Sequence, residues 1–162
     1  MNLYVFRHGE TYFSKNNLPY GDKVKTAEML PEGIPAVERL ARYLKNIPTD
    51  ANFSSPFKRC RKTSEIVQQI TGKEFTFDER LQDWIPEEES VPDVIRRATD
   101  FAKEIENRNC KSVAICTHGY PINALVAYFT KGFVREADLE NFPKPGVLVS
   151  VKNKKASFKN FS

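Results

Sequence analysis

The sequence predicts a three-layer α/β/α sandwich in which a mostly parallel sheet closes on a C-terminal antiparallel hairpin. Three observations carry this. Short apolar runs alternate with amphipathic helical stretches, the order expected when helices cross over between parallel strands. Val147, Val149 and Val151 alternate with other residues, and Asn153-Lys154 then turns the chain into a last strand. The 162 residues hold no repeat, low-complexity tract or Pro/Gly/Ser linker, so one domain spanning 1–162 is expected.

Taken in order, an apolar strand is expected at about 2–7, followed by a polar loop from Lys15 to Pro31. A helix from about Gly33 to Asn46 would bury Ile34, Val37, Leu40, Ala41 and Leu44, which recur at helical spacing. Ala51-Asn52-Phe53 reads as a short strand. Ser55-Pro56 has the residue types of an N-cap and first helical position, opening a helix to about Thr71. Glu74 to Phe77 fits another short strand. Val91, Val94, Ile95, Ala98, Phe101, Ala102 and Ile105 mark the buried face of a helix at about 91–107. Ser112 to Thr117 is an apolar strand, a helix starts near Pro121, and Ala156 to Phe161 completes the hairpin.

Composition narrows the class. Apolar residues make up 40% and charged residues 28%, as in soluble globular chains. No run reaches the roughly 18 apolar residues of a membrane span. The opening residues lack a basic n-region and a small-residue cleavage site, so the cytoplasm is the expected compartment. Cys60, Cys110 and Cys116 form no CxxC pair, which argues against both a disulfide framework and a zinc ribbon. The net charge of +4 admits anionic substrates without calling for nucleic acid.

The polar chemistry gathers at three strand ends. Arg7-His8-Gly9-Glu10 follows the first strand, Ser54-Ser55-Pro56-Phe57-Lys58-Arg59 the second, and Thr117-His118-Gly119 the strand at 112–117. In a parallel sheet, ligands bind beyond the carboxyl ends of the strands, where helix N-termini also favour an anion. The chain has two histidines, and both stand in His-Gly after an apolar strand. One such histidine would read as a hydrogen-bonded turn residue; two, with Arg7 and Arg59, read as a site. Glycine after each allows the backbone to approach a ligand closely.

These segments together resemble the histidine phosphatase superfamily, the phosphoglycerate mutase-like proteins. Arg7-His8-Gly9-Glu10-Thr11 resembles its signature, Leu30-Pro31-Glu32-Gly33 its helix entry, Ser54 to Arg59 its phosphate-binding block, and Cys116-Thr117-His118-Gly119 its second-histidine block. The matches keep the family order over positions 3 to about 125. Two positions depart from the pattern: Ser14 stands where the family often has asparagine, and Cys60 where a small alanine is usual. Cys60 reads as a packing variant.

The resemblance implies a nucleophilic His8 that becomes phosphohistidine, with Arg7, Arg59 and His118 around the transferring phosphoryl group. Ser14 and Gly119 join them as substrate-binding positions. Arg80-Leu81-Gln82 leads to Asp83 where many members carry an acidic general acid, so that role falls to Asp83. Glu87, Glu88 and Glu89 are nearby competitors, more simply read as a solvated acidic run. No metal or cofactor is implied. Lys58, Arg61 and Lys62 crowd Arg59, but helical spacing scatters them over different faces, and no nucleic-acid motif accompanies them.

The implied partner is a small phosphorylated metabolite or a phosphoprotein, with neither nucleic acid nor membrane involved. A phosphatase fits the compact length better than a mutase, whose family members are usually longer with inserted segments. A phosphohistidine protein phosphatase is a further alternative. A phosphate-binding module without turnover would be expected to lack one of the site residues, and here all are present.

Overall fold

Leu3 and Val5 face one way along the first strand and Tyr4 and Phe6 the other, and all four are buried. A strand buried on both faces belongs inside a sheet covered on both sides. The computed structural model describes residues 1–162 and builds six strands: β1 (Asn2–Arg7), β2 (Ala51–Ser54), β3 (Thr76–Phe77), β4 (Ser112–Thr117), β5 (Val147–Lys152) and β6 (Lys155–Asn160). Their order is β3-β2-β4-β1-β5-β6. The first four run parallel, β5 pairs antiparallel with β1, and β6 pairs antiparallel with β5.

Helices cover both faces. After a four-residue helix α1 (Tyr12–Lys15) come α2 (Ile34–Lys45) and α3 (Lys58–Thr71), which bury Val37, Leu40, Leu44, Cys60 and Val67 against Tyr4, Phe6, Ala114 and Cys116. On the other face α4 (Val91–Asn107) and α5 (Gly119–Lys131) set Phe101, Ile105, Ile122 and Leu125 against Leu3, Val5, Val113 and Ile115. Phe101 is wholly buried and meets Phe53 edge-on at 5.2 Å. Truncating such a ring to alanine typically costs about 3–5 kcal/mol. No helix is long and apolar enough to cross a membrane.

Register positions the site. Arg7 pairs with Thr117 across β1 and β4, and Ser54 with Cys116 across β2 and β4. Three neighbouring strands therefore end within one residue of each other, and their next residues, His8, Ser55 and His118, emerge at the same edge of the sheet. Backbone bonds extend the pairing one step, from His8 N–H to Thr117 O at 3.1 Å and from Ser55 N–H to Cys116 O at 2.9 Å.

Several boundaries differ from the sequence expectation for local reasons. The third helix begins at Lys58, two residues beyond Pro56, because Ser55 still belongs to the sheet ladder and Phe57 keeps an extended backbone. The fifth begins at Gly119, with Pro121 in its first turn, where a missing N–H costs no helical bond. The segment from Lys15 to Pro31 is not simply a polar loop: Val24 is buried with Phe57 and Ile85, and short 3₁₀ turns occupy Gly21–Lys23 and Pro31–Gly33. The hairpin turns at Asn153 and Lys154, with φ of 49° and 61°, as a two-residue turn demands. Phe161 lies outside β6 and donates its N–H to Gly146 O at 2.8 Å.

Candidate active site

His8 leaves β1 fully buried. Its Nδ1 lies 2.8 Å from the Gly9 carbonyl, which can only accept, so Nδ1 carries the proton and Nε2 presents its lone pair. Burial, then the charges of Arg7 and Arg59, hold the ring's pKa well below 6.5. Nε2 is buried and has no protein hydrogen-bond partner. A neutral imidazole with an uncommitted nitrogen is a competent nucleophile. The Gly9 backbone packs closely on Met29 and Val37: a Cβ there would stand 2.3 Å from the Met29 methyl, which would have to move, and 3.0 Å from Val37. The Gly9 N–H donates to Thr63 Oγ1 at 2.9 Å, tying the loop to α3.

His118 caps the start of α5, with its ring centroid 5.3 Å from that of His8. Its Nε2 meets Ser55 Oγ at 2.8 Å. The Ser55 hydroxyl, which also accepts the Phe57 N–H at 3.3 Å, still has its own proton to give; donated to Nε2, it leaves the His118 proton on Nδ1, the nitrogen nearer Asp83. Nδ1 lies 3.7 Å from Asp83 Oδ2 and makes no hydrogen bond in the protein. Burial first, then Arg59, depresses the His118 pKa well below 6.5, so the ring is a neutral donor. Cys60 does more than pack: its Sγ is 3.5 Å from His118 Nε2.

Arg59 enters from the first turn of α3 and is completely buried. One terminal nitrogen donates to the Val24 carbonyl and the other to Asp83 Oδ2 at 2.8 Å, while Tyr20 covers the guanidinium at 4.0 Å. Arg7 Nη1 reaches the Pro143 carbonyl at 3.4 Å, and its guanidinium lies 5.0 Å from the centre of the Phe142 ring. The Nε atoms of both arginines are buried without a protein partner, as are His8 Nε2 and His118 Nδ1. Buried polar groups are normally satisfied. Three uncommitted N–H donors, Arg7 Nε, Arg59 Nε and His118 Nδ1, beside a helix N-terminus have the chemistry of an anion cradle, with the lone pair of His8 Nε2 as the nucleophile among them.

Asp83 faces this cradle. Oδ1 accepts the Trp84 N–H at 2.9 Å and Oδ2 the Arg59 pair. Burial raises its pKa, against the opposing pull of Arg59 and Arg7. The three glutamates that follow separate in role. Glu88 pairs with Lys25 at 3.2 Å on the surface, Glu89 binds Arg97 at 2.8 Å, and Glu87 lines the cavity. That cavity measures about 530 Å³ and is bordered by Arg7, Asp83, Gly119 and the segments 17–21 and 84–87.

The structure thus brings Arg7, His8, Arg59, Asp83 and His118 to one place. Gly119 lies on the cavity wall, tight against Phe142, where an added Cβ would fall 2.4 Å from the ring. Ser14 also borders the cavity, but its Oγ accepts the Thr11 N–H at 2.9 Å in the capping box of α1. Lys58 pairs with Glu28 at 2.7 Å and Lys62 with Glu65 at 3.8 Å. Sequence reasoning gave Ser55 only the part of a helix N-cap, a place that Phe57 takes, and gave no role to Thr63, Tyr20 or Arg97. Ser55 alone carried a signal, since it lies inside one of the three strand-end segments.

The family model of the histidine phosphatase superfamily (branch 1) matches residues 3–85 and 82–151. "Putative phosphoserine phosphatase 2" of Hydrogenobacter thermophilus is 21% identical, covering 79% of this chain and 78% of that one. Among solved structures, the alpha-ribazole phosphatase from Shigella flexneri superposes with a TM-score of 0.79 at 18% identity, over 99% of this chain and 95% of that one. A mycobacterial glucosyl-3-phosphoglycerate phosphatase in complex with VO3 gives a TM-score of 0.79 at 18% identity, over 98% and 96% of the two chains. At such identities these likenesses speak to the fold.

Proposed function

The chain belongs to the histidine phosphatase superfamily, and on that footing we propose that it hydrolyses phosphomonoesters through a phosphohistidine on His8. The observation that carries this reading is the uncommitted, unprotonated Nε2 of His8 beside three further buried nitrogens without partners.

In the first step His8 Nε2 attacks phosphorus in line, and the bond to the ester oxygen breaks. Protonated Asp83 gives its proton to the departing alkoxide, so that an alcohol leaves and a carboxylate is left behind. Arg7, Arg59 and the Nδ1–H of His118 hold the equatorial oxygens, where positioning and charge stabilisation supply most of the rate. In the second step the Asp83 carboxylate takes a proton from water, and the resulting hydroxide attacks phosphorus. The P–N bond breaks, releasing inorganic phosphate and returning Nε2 with its lone pair. Ser14 and Gly119 border the route of the substrate. Hydrolysis is favoured over mutase chemistry by the open cavity above the cradle, through which water can reach the intermediate.

Trapping tests the reading. Acid-labile, base-stable label from a ³²P-phosphomonoester should appear on the wild type and not on His8→Ala. Label persisting in His8→Ala would overturn it.

A further inference from the structure

We propose that the cavity above the cradle takes a flat, uncharged, apolar leaving group, making aryl and arylalkyl phosphomonoesters, rather than phosphorylated acids, the preferred substrate class. This rests on the phosphatase reading and adds to it the identity of the group released.

Shape comes first. Trp84 and Tyr120 lie nearly parallel on the wall, with centroids 5.3 Å apart and an interplanar angle of 18°, and Phe142 meets Tyr120 edge-on at 5.9 Å. The Trp84 indole is held in place, since its Nε1 donates to the Glu89 carbonyl at 3.1 Å. Glu89 is in turn gripped by Arg97, which also donates to the carbonyls of Arg80 and Asp83. A preformed aromatic wall binds a planar group without first having to be ordered.

Charge agrees with shape. The charged residues lining the cavity are Arg7, Asp83 and Glu87. Arg7 belongs to the cradle, so a second anionic group on a substrate would meet Glu87 and no cation. Around the rim Lys25 is held by Glu88 and Arg97 by Glu89, while Lys23 and Lys144, which have no ion-pair partner, lie outside the lining. A carboxylate stripped of water there would be unpaired, which is costly, whereas a ring gains burial and stacking.

The chain has one tryptophan, and it stands on this wall, so its emission reports occupancy directly. Two non-hydrolysable probes that share a phosphonate on a two-carbon arm separate the alternatives: 2-phenylethylphosphonate, ending in a ring, and 3-phosphonopropionate, ending in a carboxylate. Calorimetric Kd values should favour the ring by at least about tenfold, with a shift in Trp84 emission for the ring alone. Tyr120→Leu should remove most of that preference, and Glu87→Lys should narrow the gap at least about tenfold by strengthening the carboxylate probe. Equal or tighter binding of the carboxylate by the wild type, or no binding of the ring, would overturn the proposal. Turnover of 2-phenylethyl phosphate, O-phosphoserine and 3-phosphoglycerate tests the phosphatase reading separately. Hydrolysis that favours the two acids sinks the specificity alone; ring binding with no ester hydrolysed sinks the phosphatase alone.

Discussion

Replacing Asp83 by asparagine keeps the shape of the side chain and its bond from the Trp84 N–H, while removing the only proton it could give. To act as an acid, Asp83 must hold that proton at working pH, and its surroundings pull both ways. Burial raises its pKa, whereas Arg59, at 2.8 Å, and Arg7 lower it. Substrate shifts this balance, because a phosphate dianion seated among the arginines offsets their field. At about 4 Å a unit charge is worth about 4 kcal/mol at an effective dielectric of about 20. With the arginines offset, burial governs and shifts the balance toward the protonated carboxyl. General acid assistance contributes about 10²–10⁴ in rate when the leaving group is a basic alkoxide. Asp83→Asn should therefore slow an alkyl phosphate about 10²–10³-fold and p-nitrophenyl phosphate less than about tenfold, nitrophenolate needing little help. Steady-state kinetics on both substrates across pH provide the assay, and the variant should also flatten the fall of the alkyl rate at high pH. Equal losses on the two substrates would refute the acid role, and Glu87, the acidic neighbour that lines the cavity, would be the next to test.

Four further outcomes are expected. Arg7→Ala should lower kcat/KM about 10²–10³-fold, as loss of one charge-stabilising donor typically does, with little change in thermal midpoint. Arg59→Ala should also unfold more readily, by about 1–3 kcal/mol in denaturant titration, because it leaves the Val24 carbonyl without its donor and Asp83 without its partner. Ser55→Ala should cost about tenfold in kcat, since the hydroxyl that sets the His118 tautomer is gone; unchanged kcat would show that the tautomer is fixed by other means. Acid should weaken the fold. His8 and His118 have folded pKa values depressed far below 6.5, so the unfolded chain takes up protons first, and stability is lost as pH falls below about 6.5. The slope should approach about 1.4 kcal/mol per pH unit for each histidine, measured by urea unfolding, and should shrink in His118→Asn. Asp83, raised by burial, acts in the opposite sense above 3.8, so the Asp83→Asn background isolates the histidine slope.

Much of this was legible before any coordinates, for a physical reason: strand burial and strand-end chemistry are both local. The continuous apolar run at residues 3–6 marks a doubly covered strand, and each His-Gly junction follows directly on such a strand. The hairpin was legible from Asn153-Lys154, whose backbone conformation few residue pairs adopt. What depended on register was not legible. Ser55 fits a helix cap by residue type, and only the pairing of β2 with β4 aims it at His118. Cys60 reads as filler until α3 is docked against β4, which brings its sulfur to the histidine. The tether of Arg97 to the Asp83 carbonyl joins residues 14 apart, reaching from within α4 back across the irregular segment 82–90, which has no periodic signal.

The parallel pairing of β1 with β4 also divides the site by stability. His8 and His118 are fixed by strands at the centre of the sheet, so separating them requires breaking the core itself, and the His8 amide hydrogen, bonded to Thr117 O, should exchange only through global opening. Asp83 and Trp84 sit on an excursion held by a 3₁₀ turn and a few side-chain bonds, which can open alone at a fraction of that free energy. The machinery that handles phosphorus and the wall that meets the rest of the substrate therefore belong to separate cooperative units. Substitutions could accumulate in the second, exchanging one released alcohol for another, while the first kept its chemistry and the fold kept its stability.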